Sequence, residues 1–230
     1  MNRRNYVKAA IAFWKLLRNN EDTSQVFTFI TALTLESDYD ECTKEFIKTD
    51  FGRQIIYNNL NVLDRVADVE YLKTLPKNSL GNKYLEFCGD SITTNNLKKV
   101  SIEASPKGMS NWPRERIKLA IQRVITHDFV HVLLETGTNP IGEACTLAFN
   151  EAQIKQRYNA SLILSFFIAL SAIGKLGLKV FPMWWEAYQN GKKCKWLCAQ
   201  DLYPLLALDI EEARKELGVI MLKRYEAVYG

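Results

Sequence analysis

Three observations predict an all-α fold built as a single helical domain. Apolar residues recur at three- and four-residue spacing along most of the chain. Convincing two-residue alternation is almost absent, which leaves little for a sheet. No internal repeat, low-complexity tract or linker divides residues 1–230.

The first predicted helix runs from about Tyr6 to Arg18, with Lys8, Lys15 and Arg18 among its apolar residues. Asn20-Glu21-Asp22-Thr23 breaks it and caps a second helix over Ser24 to Leu35. Glu41 to Asn58 holds short helical material interrupted by Gly52, and Asn61 to Leu72 adds one or two turns. Pro76-Lys77-Asn78 reads as a loop, after which Ser79 opens a helix carrying Tyr84 and Phe87. Ser91 to Asn111 is the least regular stretch, with Pro106, Gly108 and Pro113 near its end. Arg114 to Glu135 is a long helix. Gly137-Thr138-Asn139-Pro140 then makes a tight connection, with Asn139 a good N-cap and Pro140 a good first helical residue. The next helix covers about Pro140 to Tyr158, and so short a connection makes it an antiparallel neighbour of the last. Ala160 to Gly174 is strongly apolar, Lys179 to Asn190 carries Trp184 and Trp185, and Ile210 to Leu217 ends at Gly218.

The composition is that of an ordinary globular protein, with 47% hydrophobic and 24% charged residues among 230. The net charge of +4 suits anionic lipid headgroups or a phosphorylated ligand. A nucleic-acid binder would show a denser Lys/Arg stripe, so none is expected as partner. Five widely spaced cysteines read as reduced thiols, and Cys194 and Cys198 lack the second pair that a zinc ribbon needs. Arg3 and Arg4 lead into an amphipathic helix rather than a cleavable segment. The longest apolar stretch has fifteen residues, short of the about 20 that a spanning helix requires. The expected location is therefore cytoplasmic, peripheral to a membrane surface.

The chemistry concentrates in one motif. The chain has only two histidines, and they fall four residues apart in His127-Asp128-Phe129-Val130-His131. Glu143 follows after eleven further residues. Positions i and i+4 share a helix face, and Asp128 borders it. Glu143 falls in the first turn of the following helix, from which it faces back toward His131. Two imidazoles and two carboxylates meeting at one point would bind a divalent metal. A lone histidine is more often a satisfied core residue, and exposed carboxylates are common. A pair buried with two carboxylates, however, would leave uncompensated polarity without an ion. Mixed nitrogen and oxygen ligands favour zinc or another first-row metal, with magnesium a harder fit for two imidazoles.

Competing chemistries are weaker. A zinc protease of the H-E-x-x-H type needs Glu where Asp128 stands. No G-x-S-x-G elbow, phosphate loop or dinucleotide fingerprint is present. Glu135, four residues after His131, could bond behind the ligands or act as a fifth ligand, although a solvated carboxylate fits its position equally. Arg123, one turn before His127, could hold an anionic group over the metal or simply complete an ion pair. The apolar stretch with Leu162, Ile163, Phe166, Phe167, Leu170 and Ile173 is more apolar than one core face requires.

His127-Asp128-x-x-His131 with eleven residues to Glu143 resembles the signature of the coenzyme Q biosynthesis protein four family. Other blocks agree in order: Asp22-Thr23-x-x-Val26-Phe27, Leu75-Pro76 with Ser79-Leu80-Gly81 and Tyr84, Gly142-Glu143, Ala148-Phe149, and Arg214-x-Glu216-Leu217-Gly218. Trp196 to Tyr203 is a looser match, and Glu135 stands where many relatives carry a small residue. The resemblance implies an all-α protein, often dimeric, that binds a metal through His127, Asp128, His131 and Glu143. It also implies a prenylated quinone precursor or other isoprenoid lipid as ligand, and quinone-biosynthesis enzymes as neighbours. The implied activity is oxidative removal of the C1 carboxyl group from a polyprenylated hydroxybenzoate; the alternative is a non-catalytic carrier. A tail of this kind needs a tunnel, expected along Leu162, Phe166, Phe167 and Leu170 and opening near the metal.

Overall fold

The computed structural model describes residues 3–18, 24–89, 113–154 and 159–229. The expected break at Asn20 to Thr23 and the irregular stretch from Ser91 to Asn111 lie outside these residues, whereas the helix expected over Pro140 to Tyr158 ends earlier, at Ala152 with Gln153 as its C-cap. Fourteen α-helices occur among the described residues. They are α1 Tyr6–Arg18, α2 Ser24–Leu33, α3 Glu36–Lys48, α4 Asp50–Ile56, α5 Val62–Val66, α6 Val69–Thr74 and α7 Leu80–Cys88, then α8 Arg114–Leu134, α9 Pro140–Ala152, α10 Ala160–Ser171, α11 Ile173–Leu176, α12 Val180–Lys193, α13 Ile210–Leu217 and α14 Lys223–Tyr229. No strand is present among them; Ser79 and Asp209 form one isolated bridge. The all-α expectation holds.

Helix α9 is the hub. It packs on α8, α10 and α12, while α7 and α3 also pack on α8. Its buried apolar residues are Ile141, Ala144, Cys145, Ala148 and Phe149, and Thr146 and Glu151 are buried beside them. The close approach of α12 depends on Gly191, where a Cβ would overlap the carbonyl oxygen of Phe149. Because backbone cannot yield as a side-chain tip does, Gly191→Ala is expected to destabilise the fold by about 1–3 kcal/mol. The midpoint and slope of a urea unfolding curve measure this; an unchanged midpoint would contradict it.

Several boundaries differ from expectation. The run from Glu41 to Asn58 breaks at Thr49, not at Gly52. Thr49 is extended at ψ 151° and its hydroxyl accepts from the Gly52 N–H, so a side-chain cap starts α4 there. Gly52 is instead buried inside α4 against the Phe46 carbonyl. Helix α3 begins earlier, at Glu36, because Asp38 reaches back to the Leu35 N–H. Asn61 to Leu72 splits into α5 and α6 where Asp68 caps the second. The apolar run from Ala160 divides at Ala172 into α10 and α11. No single helix among the described residues is long and apolar enough to cross a membrane. One pair bent by 46°, Ala160–Ser171 with Ile173–Ala199, has the length and composition to do so.

Candidate metal centre

Helix α8 carries both histidines, and α9 brings Glu143 to them. The sequence sets this up locally. Asn139 caps α9 by accepting from the Gly142 N–H at 3.0 Å, and Pro140 occupies the first turn. Tyr225 of α14 clasps the connection from outside: its hydroxyl accepts from the Gly137 N–H at 2.9 Å and from the Asn139 amide. Glu143 is thereby fixed one turn into α9, facing α8.

The two imidazole Nε2 atoms stand 3.2 Å apart. Glu143 reaches His127 Nε2 at 3.3 Å through Oε2 and His131 Nε2 at 3.4 Å through Oε1. Two ligand atoms bound at about 2.0–2.1 Å to one tetrahedral ion are separated by about 3.3 Å. Each of the three separations is close to that edge length, the two to Glu143 using different carboxylate oxygens, and the three residues form a group among the described residues that could hold a metal ion.

Hydrogen bonds decide which ring nitrogens face that point. His131 is buried, and its Nδ1 lies 3.1 Å from the Thr136 carbonyl oxygen, which can only accept. Nδ1 therefore donates to that carbonyl, and His131 turns its Nε2 toward His127 and Glu143. The hydroxyls of Thr136 and Thr146 flank the same Nδ1 at 3.2 and 3.3 Å and bond one another at 2.9 Å. Phe87 of α7 stacks on the His131 ring, with centroids 5.1 Å apart. Asn150 of α9 lies 3.4 Å from His127 Nδ1. These supports went unread in the sequence, although 146 and 150 follow Glu143 at helical spacing and so share its face.

Electrostatics agree with the geometry. Burial would raise the Glu143 carboxyl, but hydrogen bonds from His127 and His131, and their charge, hold it well below the usual carboxylate range. Burial would lower His127, but its hydrogen bond to Glu143 and the Glu143 charge lift it above the ordinary histidine value. A carboxylate that stays ionised beside two imidazoles turned toward it is a candidate receptor for a cation.

Other predicted site residues are placed differently. Asp128 is close enough to feel His127, His131 and Glu143, but its carboxylate is not among the convergent ligand atoms. It follows His127 by one residue, about 100° around the helix, and so borders the ligand face. Burial raises its carboxyl. Glu135 is neither a ligand nor a partner of His131. It is the C-cap of α8, left-handed at φ 53°, and its carboxylate pairs with Arg214 at 2.6 Å. Arg214, itself buried, donates to the Leu133 carbonyl and so locks the end of the metal helix to α13. Arg123 is engaged by Glu151 of α9 and lies over the Tyr39 ring. Phe166 and Phe167 are exposed on α10 and Leu162 and Leu170 half-buried. The ring contacts of Phe166 and Phe167 run to Phe181, Trp184 and Phe13 rather than to the histidines. A cavity of about 290 Å³ lies elsewhere, lined by Cys42, Glu45, Lys48, Thr49, Gln153 and Trp196.

All five cysteines are free. Burial pushes Cys42 and Cys194 up to about 11 and Cys88, beside Asp128, up to about 12. Protonated thiols are poor nucleophiles and poor ligands.

The model of the family described as "Coenzyme Q (ubiquinone) biosynthesis protein Coq4" matches residues 4–223. A mitochondrial ubiquinone biosynthesis protein COQ4 homolog from Anopheles gambiae is 27% identical over 178 residues, covering 76% of this chain and 59% of the relative. The Drosophila melanogaster homolog is 25% identical over 181 residues, covering 75% and 62%. The matched segment thus spans about three-fifths of the length of these relatives. A crystal structure of a Nostoc punctiforme protein, described as a candidate ubiquinone biosynthesis protein, superposes with a TM-score of 0.60. It is 21% identical and covers 94% of this chain and 99% of its own, so it shares the fold. With the family model spanning nearly the whole chain, the protein belongs to the Coq4 family of coenzyme Q (ubiquinone) biosynthesis proteins.

Proposed function

We propose that the protein acts in ubiquinone biosynthesis as a metal-dependent enzyme on a prenylated hydroxybenzoate, removing the C1 carboxyl group oxidatively. The observation that carries this reading is the convergence of two imidazole nitrogens and an ionised carboxylate at separations of 3.2 to 3.4 Å. His127, His131 and Glu143 would hold the ion, with Asp128 the nearest further carboxylate. Zinc suits the donor set best, and another first-row metal or magnesium would occupy the same ligands.

A bound divalent ion supplies charge to orient and stabilise a carboxylate or phenolate oxygen. The chain does the rest. Thr136 and Thr146 hold His131 in one orientation, and the Asn139 cap with the Tyr225 clasp holds Glu143 in register. Phe87 supplies an apolar wall against the His131 ring that suits an aromatic headgroup. In balance, the bond from C1 to the carboxyl carbon breaks and carbon dioxide leaves. A water oxygen takes its place on the ring, and dioxygen accepts the two electrons and two protons as hydrogen peroxide.

A carrier that presents the same ligand without turnover is the alternative. It is favoured by one feature: Arg123 is committed to Glu151, so that cation is not offered to a ligand. Single-turnover release of labelled carbon dioxide from a prenylated hydroxybenzoate, in oxygenated buffer, separates the two. Metal-replete protein is expected to release label, and Glu143→Ala to release none, because the only ionised ligand is gone. Binding without release by the unaltered protein, across zinc, iron, cobalt and manganese, would sink the enzyme and leave the carrier.

A further inference from the structure

Helix α1 presents an apolar face to the outside. Ala9, Ala12 and Leu16 bury one side of it. Tyr6, Val7, Ile11, Trp14 and Leu17 occupy another and are between 47% and 71% exposed. Large side chains therefore lie on both sides of α1: Leu16 faces in with the two alanines, while Ile11 and Trp14 face out. Exposed apolar faces of this kind mark a contact surface.

The charge beside that face is of one sign. Residues 3–18 contain Arg3, Arg4, Lys8, Lys15 and Arg18 and no Asp or Glu. Arg4 is spent on Asp38 at 2.9 Å. At 100° per residue, Lys8 and Lys15 fall along one edge of the apolar face, and Arg18 falls between Trp14 and Ile11. The Arg18 guanidinium stacks on the Trp14 ring at 4.9 Å, which keeps cation and indole at the same level. Other helices are built differently: Lys48, Arg53, Lys73 and Lys83 each pair with a carboxylate three residues away on their own helix. The apolar surface also continues beyond α1. Phe13 meets Phe167 at 5.2 Å, and the neighbouring Phe166 meets Trp184 at 5.5 Å, beside the exposed Trp185.

We propose that α1 lies in the interfacial plane of an anionic lipid bilayer, with Val7, Ile11, Trp14 and Leu17 among the acyl chains and Lys8, Lys15 and Arg18 at the headgroups. A helix with an apolar face, a tryptophan and an edge of lysines has the composition of interfacial helices. Thirteen residues give a contact of about 20 Å along the helix. A second copy fits less well. A twofold interface would set the same basic edge against itself, and like charges repel. The inference stands on α1 and goes beyond the metal-centred reading, so it survives if that reading fails.

The test uses the full chain and vesicles of phosphatidylcholine, with and without phosphatidylglycerol, separated by sedimentation. The protein is expected to bind the anionic vesicles, to release them as salt rises, and to leave neutral vesicles largely unbound. Lys8→Glu with Lys15→Glu should weaken partitioning by about thirtyfold or more, at about fivefold per basic residue removed from an anionic surface. Ile11→Glu with Trp14→Glu should weaken it at least tenfold at unchanged circular dichroism. Absence of binding by the unaltered protein, or equal binding by a folded lysine variant, would overturn the proposal. So would dimers that the Ile11/Trp14 variant splits while vesicles are ignored, which would assign the face to a second copy. If the Ile11/Trp14 variant fails to fold, the lysine variant decides alone.

Discussion

Replacing Glu151 by alanine is expected to cost about 3–5 kcal/mol of folding stability, a large part of what a domain of this kind has. Its partner Arg123 lies on α8, and the two side chains are 16% and 4% exposed. Burial alone would lower Arg123, but the Glu151 charge holds it firmly protonated. Glu151→Ala would therefore strand a guanidinium among Tyr39, Cys42 and Cys198 with no carboxylate. The pair also ties α8 to α9 one turn before His127 and next to Asn150, so the loss reaches the metal centre. Urea unfolding measures the effect. The double variant Arg123→Met with Glu151→Leu should recover most of the loss, because it removes both charges and refills the volume. A Glu151→Ala midpoint equal to that of the unaltered protein would show that water, not Glu151, compensates Arg123.

What the sequence revealed and what it hid divide along the range of the interactions. The histidine pair, the Asn139-Pro140 start of α9 and the position of Glu143 are written in spacings of a few residues, and the structure places all of them as read. The tie between Arg123 and Glu151 spans 28 residues, and that between Glu135 and Arg214 spans 79. No local pattern encodes such pairs, so nothing in the sequence chose between an anion binder and an ion-pair partner for Arg123, or between a metal neighbour and a solvated carboxylate for Glu135. The left-handed cap at Glu135 had no glycine or asparagine to announce it. Helix α14 escaped notice because seven residues are too few for periodicity to show, although its Tyr225 holds the loop that aims Glu143. Thr146 and Asn150 were legible in principle, at three and seven residues after Glu143, once that residue was taken as the reference of its helix face. Expectations for α10 rested on composition alone. Its apolar excess proves to be divided between a buried side and the exposed Phe166 and Phe167.

The second large effect is loss of the ion itself. His127 and His131 supply two of the three convergent ligand atoms, and His131 is the more rigidly held, fixed at Nδ1 by Thr136 and Thr146 and on its face by Phe87. Removing both rings leaves Glu143 alone with Asp128 nearby, an oxygen pair that first-row metals bind far more weakly than imidazole. Removing the supports should act more gently. A ligand whose hydrogen-bond partner is lost typically weakens metal binding by about 10- to 100-fold rather than abolishing it.

Elemental analysis of the purified protein after incubation with zinc and exhaustive dialysis tests the central claim most directly, comparing the unaltered chain with His127→Ala/His131→Ala. The geometry predicts about one divalent ion per chain in the first and none in the second, with both folded by circular dichroism. Equal metal content in the two proteins, or none in either, would contradict a metal centre at His127, His131 and Glu143.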